Sequence, residues 1–148
     1  MIVFPYVLTA ALFAGVLSQF IKFVIKLSKK KKFQWHYLDA YGGMPSSHSA
    51  FLVALCTAVG LQEGFVSSAF GITFVISAII IRDAFGLRMI LEEQGKIILK
   101  LAKQVPVEIE ELNGKNNQIG HRVGHTISEI IVGSLIGIVI AVGGYYLM

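Results

Sequence analysis

Two histidines and a carboxylate stand where apolar stretches of the sequence begin. His48 follows the run Gly42-Gly43-Met44-Pro45-Ser46-Ser47, and His125 lies four residues before Glu129. Residues four apart share a helix face, so the Glu129 carboxylate can accept a hydrogen bond from one imidazole nitrogen and orient the other. That arrangement is typical of an activated nucleophilic histidine, and His48 could then protonate a departing alkoxide.

The turn before His48 has the composition of an anion-binding helix start. Glycines permit a tight turn, a proline suits the first turn of a helix, and Ser46 or Ser47 can cap that helix while its amide groups face an anion. Cationic side chains that could neutralise a phosphoryl group follow at Arg82, Arg88, Lys96 and Arg122. Because arginine and lysine stabilise phosphoryl charge directly, these groups predict a phosphate-handling site that needs no metal ion or other cofactor.

The composition places most of the chain in lipid. Of 148 residues, 55% are hydrophobic, and the mean hydropathy of +0.70 is too high for an ordinary soluble domain. All 13 basic residues fall within two segments, 22–32 and 82–122. This clustering favours cytoplasmic loops that contact anionic membrane lipids over nucleic-acid binding as the reason for the +4 net charge. Lys22 and Lys26, near the end of the first apolar stretch, are expected to reach the interface.

The apolar stretches predict an all-α, polytopic membrane bundle in a single domain, residues 1–148. About 20 apolar residues are enough to cross a bilayer as a helix. Four spans are expected, at about 4–25, 47–61, 65–81 and 126–147. An amphipathic pattern predicts an interfacial helix at about 89–105. The positive-inside rule makes the face with the histidines and basic residues cytoplasmic, with both termini on the opposite side of the plasma membrane.

Three ordered motifs give the sequence a family resemblance. They are Gly43-Met44-Pro45-Ser46-Ser47-His48-Ser49, Asp83-Ala84-Phe85-Gly86-Leu87-Arg88 and Gly124-His125-Thr126-Ile127-Ser128-Glu129. Over nearly its whole length, the chain resembles the divergent branch of the type 2 phosphatidic acid phosphatase family, which is related to acid phosphatases and vanadium haloperoxidases. The resemblance implies that His48 is the general acid, His125 the nucleophile and Glu129 the orienting carboxylate.

The motifs depart from those of the wider family in several places. Ser47 replaces a glycine, Glu129 replaces an aspartate, and Arg122 precedes the nucleophile by three residues instead of six. The wider family's first motif, Lys-x6-Arg-Pro, is absent before the acid histidine. Arg88 matches the divergent branch's own middle motif and is the preferred substitute phosphate ligand, ahead of Lys96. Since the wider family has a six-helix core, a homodimer would complete the packing of a four-span chain.

The resemblance implies a membrane lipid-phosphate phosphatase that works through a phosphohistidine intermediate. Phosphatidylglycerophosphate ranks first as substrate, and phosphatidate and polyprenyl phosphates or diphosphates are alternatives. A zinc hydrolase with His121, His125 and Glu129 as ligands is a rival, although this spacing stretches the ligands over more than two helical turns. Another is a non-catalytic membrane protein that binds anionic lipid through Lys29–Lys32 and the interfacial helix.

Overall fold

The computed structural model describes residues 5–30, 43–102, 104 and 126–147. Within these ranges the chain forms four helices and no strand: α1 (Tyr6–Lys30), α2 (Ser47–Glu63), α3 (Ser68–Ala102) and α4 (Ile127–Leu147). Helices α1, α3 and α4 are long and apolar enough to cross a membrane. The prediction of an all-α membrane bundle is therefore confirmed. Helix α2 has 17 residues, or about 25 Å, which is less than a hydrocarbon core of about 30 Å.

Helix α2 is the centre of the bundle and packs against each of the other three helices. It runs parallel to α4, since Gly133 abuts the backbone of Ser46 and Gly137 abuts that of Ala50. Helix α1 is antiparallel to both, and the Tyr6 hydroxyl near its start donates a hydrogen bond to a carbonyl near the end of α4. Helix α3 returns along α2 and makes its main contact there.

The interior of the bundle is built largely from small side chains. Its core consists of Tyr6, Ala10, Ala14, Ala54, Ala58 and Ala141. Large apolar side chains face outward instead, among them Phe13, Phe20 and Ile72. Lipid tails are as apolar as leucine, so helices in a membrane associate through close backbone approach rather than through burial of large side chains. The distribution of side chains is therefore that of a membrane domain.

The turn between α2 and α3 lies where the sequence predicts it. Gly64 ends α2 with a φ of +90°, a backbone conformation that favours glycine, and its N–H donates to the Gly60 carbonyl. Ser67 then caps α3, since its hydroxyl oxygen accepts a hydrogen bond from the Phe70 N–H. This hairpin brings α3 back towards the membrane face from which α2 began.

Helix α3 differs from the prediction of a span at 65–81 followed by a separate interfacial helix at 89–105. One helix of 35 residues, Ser68–Ala102, runs through both. Residues 82–88 contain no proline, and a single interior glycine, Gly86, costs only about 1 kcal/mol of helix propensity. The amphipathic second half is therefore a continuation of the span. At about 52 Å, α3 is longer than a hydrocarbon core is thick.

Candidate functional site

The turn leading into α2 is tightly packed and capped. Gly43 has a φ of +102°, which glycine adopts without strain, and the Met44–Pro45 peptide bond is cis. Ser46 is the N-cap: its hydroxyl oxygen accepts hydrogen bonds from the Ser49 N–H at 3.4 Å and the Ser49 hydroxyl at 3.0 Å. Pro45, Ser46 and Ser49 are fully buried. The predicted helix start is thus present, and the Ser46 side chain is engaged in forming it.

Glu129 lies in the first turn of α4 and is only 5% exposed. Its Oε2 accepts a hydrogen bond from the Thr126 N–H at 3.1 Å, while Thr126 Oγ1 accepts one from the Glu129 N–H at 3.4 Å. This reciprocal pair is a capping box, which satisfies two amide groups that the helix start would otherwise leave unpaired. The carboxylate is consequently held at the start of α4. His125 and Arg122 themselves lie outside the described residues.

The starts of α2 and α4 are joined through their backbones. The Ser46 N–H donates a hydrogen bond to the Glu129 carbonyl oxygen at 3.0 Å. One turn further along α4, Gly133 lies so close to Ser46 that a Cβ atom there would be 2.3 Å from the Ser46 carbonyl oxygen. The described residues of two of the three sequence motifs, 43–49 and 126–129, therefore meet at one end of the bundle.

His48 lies at this end of the bundle, but on another side of α2. It is exposed and lines an open groove of about 490 Å³ between α1, α2 and α3. The other lining residues are Gly15, Val16, Gln19, Ser47, Phe51, Leu52 and Ile80. Each residue turns a helix by about 100°, so His48 projects about 200° away from Ala50, which faces α4. His48 and Glu129 thus lie on different sides of the start of α2.

Arg82 is exposed at the head of a second groove, of about 700 Å³, between α2, α3 and α4. Ile127, the first residue of α4, lines the same end, and the remaining walls are almost entirely apolar. Arg88 belongs to α3 as well, and its side chain lies outside the described part of the structure. Lys96 lies about 21 Å further along α3 than Arg82. Its ammonium group is exposed and pairs with Glu92 at 2.6 Å, so this residue is not brought to the Ser46–Glu129 contact.

Lys22 is a residue of this region that the sequence analysis assigned to the membrane interface. It is instead 4% exposed inside the bundle. A Cβ atom on Gly43 would lie 3.9 Å from Lys22 Cγ and Cδ and 3.4 Å from Lys26 Cε, so the turn before α2 covers both lysine stems. Glu129 is close enough to act on Lys22 electrostatically. The signal in the sequence is that Lys22 stands inside the apolar stretch, before the lysine run, where an ionisable residue usually has a function.

No group of three or more His, Cys, Asp or Glu side chains is positioned to hold a metal ion within the described ranges. Two of the three ligands in the zinc alternative, His121 and His125, fall outside those ranges. The described part of the site therefore consists of two capped helix starts, a buried carboxylate, a buried ammonium group and an exposed imidazole.

Helices long enough to span a bilayer, packed through small residues around a buried polar cluster, define an integral membrane protein of the polytopic α-helical class. Comparison with known proteins then gives the family. The sequence matches the Divergent PAP2 family over residues 5–140, and the chain belongs to that family. It is 34% identical to the "uncharacterized membrane protein YuiD" of Bacillus subtilis (strain 168), with 95% of each chain covered. No solved structure matches the chain.

Proposed function

We propose that this protein is a membrane phosphatase that hydrolyses a lipid phosphomonoester through a phosphohistidine intermediate, with no metal ion. The observation that carries the proposal is the buried Glu129 carboxylate, held in the first turn of α4 and tied through its backbone to the start of α2. Burying a carboxylate in a membrane protein is costly, so such a group is usually retained for a function. A carboxylate in the first turn of α4, four residues after His125 in the sequence, is suited to orienting that imidazole.

The reaction proceeds in two steps. A nitrogen of His125 attacks phosphorus, the bond from phosphorus to the ester oxygen breaks, and His48 donates a proton to the departing alkoxide. Water, deprotonated by His48, then attacks the phosphohistidine and releases inorganic phosphate and free His125. Glu129 stabilises the imidazole in the orientation needed for attack. Because His48 and Glu129 flank α2, the phosphoryl group would lie over the start of that helix, where amides and the helix dipole favour an anion.

The groove headed by Arg82 supports a lipid as the substrate. Its apolar walls run from Arg82 and Ile127 down to Phe65 and Phe70 at the other end of the hairpin. A molecule with an anionic head and an acyl or prenyl chain matches a cation at one end of an apolar groove. We place this end of the bundle, where Arg88 could also bind phosphate, at the cytoplasmic face of the plasma membrane. Phosphatidylglycerophosphate is the first candidate, followed by phosphatidate and polyprenyl phosphates or diphosphates.

Purified protein in detergent micelles, assayed for phosphate release from a panel of these lipids, tests the proposal. His125→Ala should abolish turnover at an unchanged unfolding temperature, and a rapid quench of the wild type should trap a phosphoenzyme that is labile in acid and stable in alkali. His121→Ala is the matched control, because the two-step mechanism predicts full activity and a zinc site predicts loss. Turnover by His125→Ala would refute the nucleophile, and inhibition by a chelator would favour the zinc alternative.

A second candidate, a non-catalytic protein that binds anionic lipid, is favoured by the second half of α3. This segment carries exposed Lys96 and Lys100 together with exposed Ile97 and Leu101, a combination that suits an anionic membrane surface. Neutralising Lys29–Lys32 would then remove binding to anionic vesicles, while replacement of both histidines would leave it intact. The phosphatase assay separates the two candidates directly.

A further inference from the structure

Lys22 is the most deeply buried charged side chain among the described residues, ahead of Glu129 at 5% exposed, and the mechanism above gives it no role. It lies within the membrane-spanning part of α1 and is 4% exposed. Removing an ammonium group from water is costly unless the group is paired, and intramembrane lysines usually mark a binding or transport site. A lysine near the end of a membrane-spanning helix can ordinarily extend its side chain to water. The Lys22 side chain instead stays inside the bundle. The burial of Lys22 therefore calls for a partner inside the bundle.

The surroundings of Lys22 place it where three helices meet. The turn containing Gly43 covers its stem on the α2 side. The Glu129 carboxylate acts on it from the first turn of α4, and Lys26 acts on it from the next turn of α1. Ser18, one turn earlier on the same face of α1, is fully buried, and its hydroxyl has no hydrogen-bond partner within the described part of the chain. Lys22 thus lies beside the turn that leads into α2, with the buried Ser18 hydroxyl one turn away on α1.

The described surroundings of Lys22 suit an anion. Lys26 and the Glu129 carboxylate both act electrostatically on Lys22, which is itself a buried ammonium group. One oxygen of that carboxylate already accepts the Thr126 N–H. The starts of two helices add further positive potential at the same end of the bundle. A phosphoryl group, which carries up to two negative charges, matches a buried ammonium group beside two helix starts.

We propose that the Lys22 ammonium group binds the phosphoryl oxygens at this site and so supplies a cation that the sequence motifs do not include. The identification of the anion as a substrate phosphoryl group rests on the phosphatase function proposed above. Lys96, one of the cations predicted from the sequence, is less suitably placed, because it is paired with Glu92 at a distance along α3. Lys22 acts as a phosphate ligand and not as a proton donor, so its loss weakens binding of the ground state and the transition state alike.

The test measures binding of an oxyanion separately from turnover. Full-length protein in detergent is titrated with inorganic phosphate and with orthovanadate, and the KM and kcat for the best lipid phosphate are measured on the same samples. Lys22→Met keeps the apolar stem and removes the charge, and Lys22→Arg keeps the charge. Lys115→Met is the matched control, because Lys115 lies outside the three sequence motifs and outside the residues proposed to bind lipid. Since hydrogen bonds between charged groups contribute about 1.5–3 kcal/mol, Lys22→Met should weaken oxyanion affinity and raise KM by about 10-fold or more.

The outcomes separate this inference from the proposed function. Oxyanion binding that depends on Lys22 without any lipid hydrolysis would refute the phosphatase and retain the anion site. If Lys22→Met hydrolyses lipid with an unchanged KM and an unchanged oxyanion affinity, the role of Lys22 is refuted and the phosphatase is retained. A wild type that binds no oxyanion would also refute the role of Lys22. If Lys22→Met does not fold, acetylation of the wild type by acetic anhydride decides. Added phosphate should slow the modification of Lys22 and leave that of Lys100 unchanged, and a Lys22 rate that phosphate does not change would overturn the inference.

Discussion

Gly133 is the position at which a single methyl group tests the contact between the starts of α2 and α4. A Cβ atom on Gly133 would lie 2.3 Å from the Ser46 carbonyl oxygen, whereas ordinary contact begins at 3.4 Å. The shortfall is about 1.1 Å, the difference between these two distances. The obstructing atom belongs to the backbone and cannot rotate away as a side chain could. In Gly133→Ala the two helices must therefore separate by about this distance at the level of the candidate site.

Two effects of opposite sign determine the stability of Gly133→Ala. Forcing an extra methyl group into a well-packed contact costs about 1–3 kcal/mol. Replacing a helical glycine with alanine contributes about 1 kcal/mol of favourable helix propensity. Gly143 lies on the same helix and has no atom within 4 Å of its Cβ position, so Gly143→Ala retains only the favourable effect. The difference in unfolding free energy between the two alanine variants isolates the steric effect, at about 1–3 kcal/mol.

Thermal unfolding of wild type, Gly133→Ala and Gly143→Ala in one detergent, with turnover measured on the same samples, provides the assay. Gly133→Ala should unfold at a lower temperature than Gly143→Ala. It should also lose activity by about 100-fold, because separation of the helices disrupts the bond from the Ser46 N–H to the Glu129 carbonyl and displaces the site by about 1 Å. Equal unfolding temperatures for the two variants would refute the close contact between α2 and α4.

Three further predictions follow from single contacts. Glu129→Gln keeps an acceptor oxygen for the Thr126 N–H, so the unfolding temperature of the variant should stay near that of the wild type. Loss of the orienting charge should lower kcat by at least about 100-fold. A variant with the wild-type kcat would contradict the orienting role of Glu129. Tyr6→Phe removes the hydrogen bond to the Ala141 carbonyl and should lower the unfolding free energy by about 0.5–1.5 kcal/mol with turnover unchanged, because this contact lies at the opposite end of the bundle. Ser67→Ala removes the α3 cap and should cost about 1 kcal/mol of stability, again without an effect on KM or kcat.

Local signals in the sequence predicted the helix starts well. Pro45 and Ser46 mark the start of α2, because helix caps depend on residues close together in the chain. The continuity of α3 was missed, since the charge pattern after residue 81 resembles an interfacial helix and nothing in the composition shows whether two helical segments share one axis. The amphipathic pattern at 89–105 shows which face of the helix is polar, but it does not show whether the helix begins there or continues from the preceding span.

The arrangement of side chains around the site was less predictable. The motifs indicated that His48 and Glu129 share one end of the bundle, but the side of α2 on which each lies depends on which neighbour packs against which face. The burial of Lys22 likewise depends on the turn at Gly43, which is 21 residues away in sequence and directly above it in space. Contacts of this kind follow from tertiary packing. Helical periodicity shows which residues share a helix face, but not which neighbouring helix that face contacts.

The length of α2 has a consequence for how a substrate meets the protein. Its 17 residues cover about 25 Å, so a helix whose far end reaches one edge of a hydrocarbon core of about 30 Å begins about 5 Å short of the other edge. Lipids accommodate such a mismatch by local thinning of the bilayer. Head groups beside Ser46 would then lie deeper than those beside the long helix α3, and a phosphate could reach the helix start while its chain remains in the membrane.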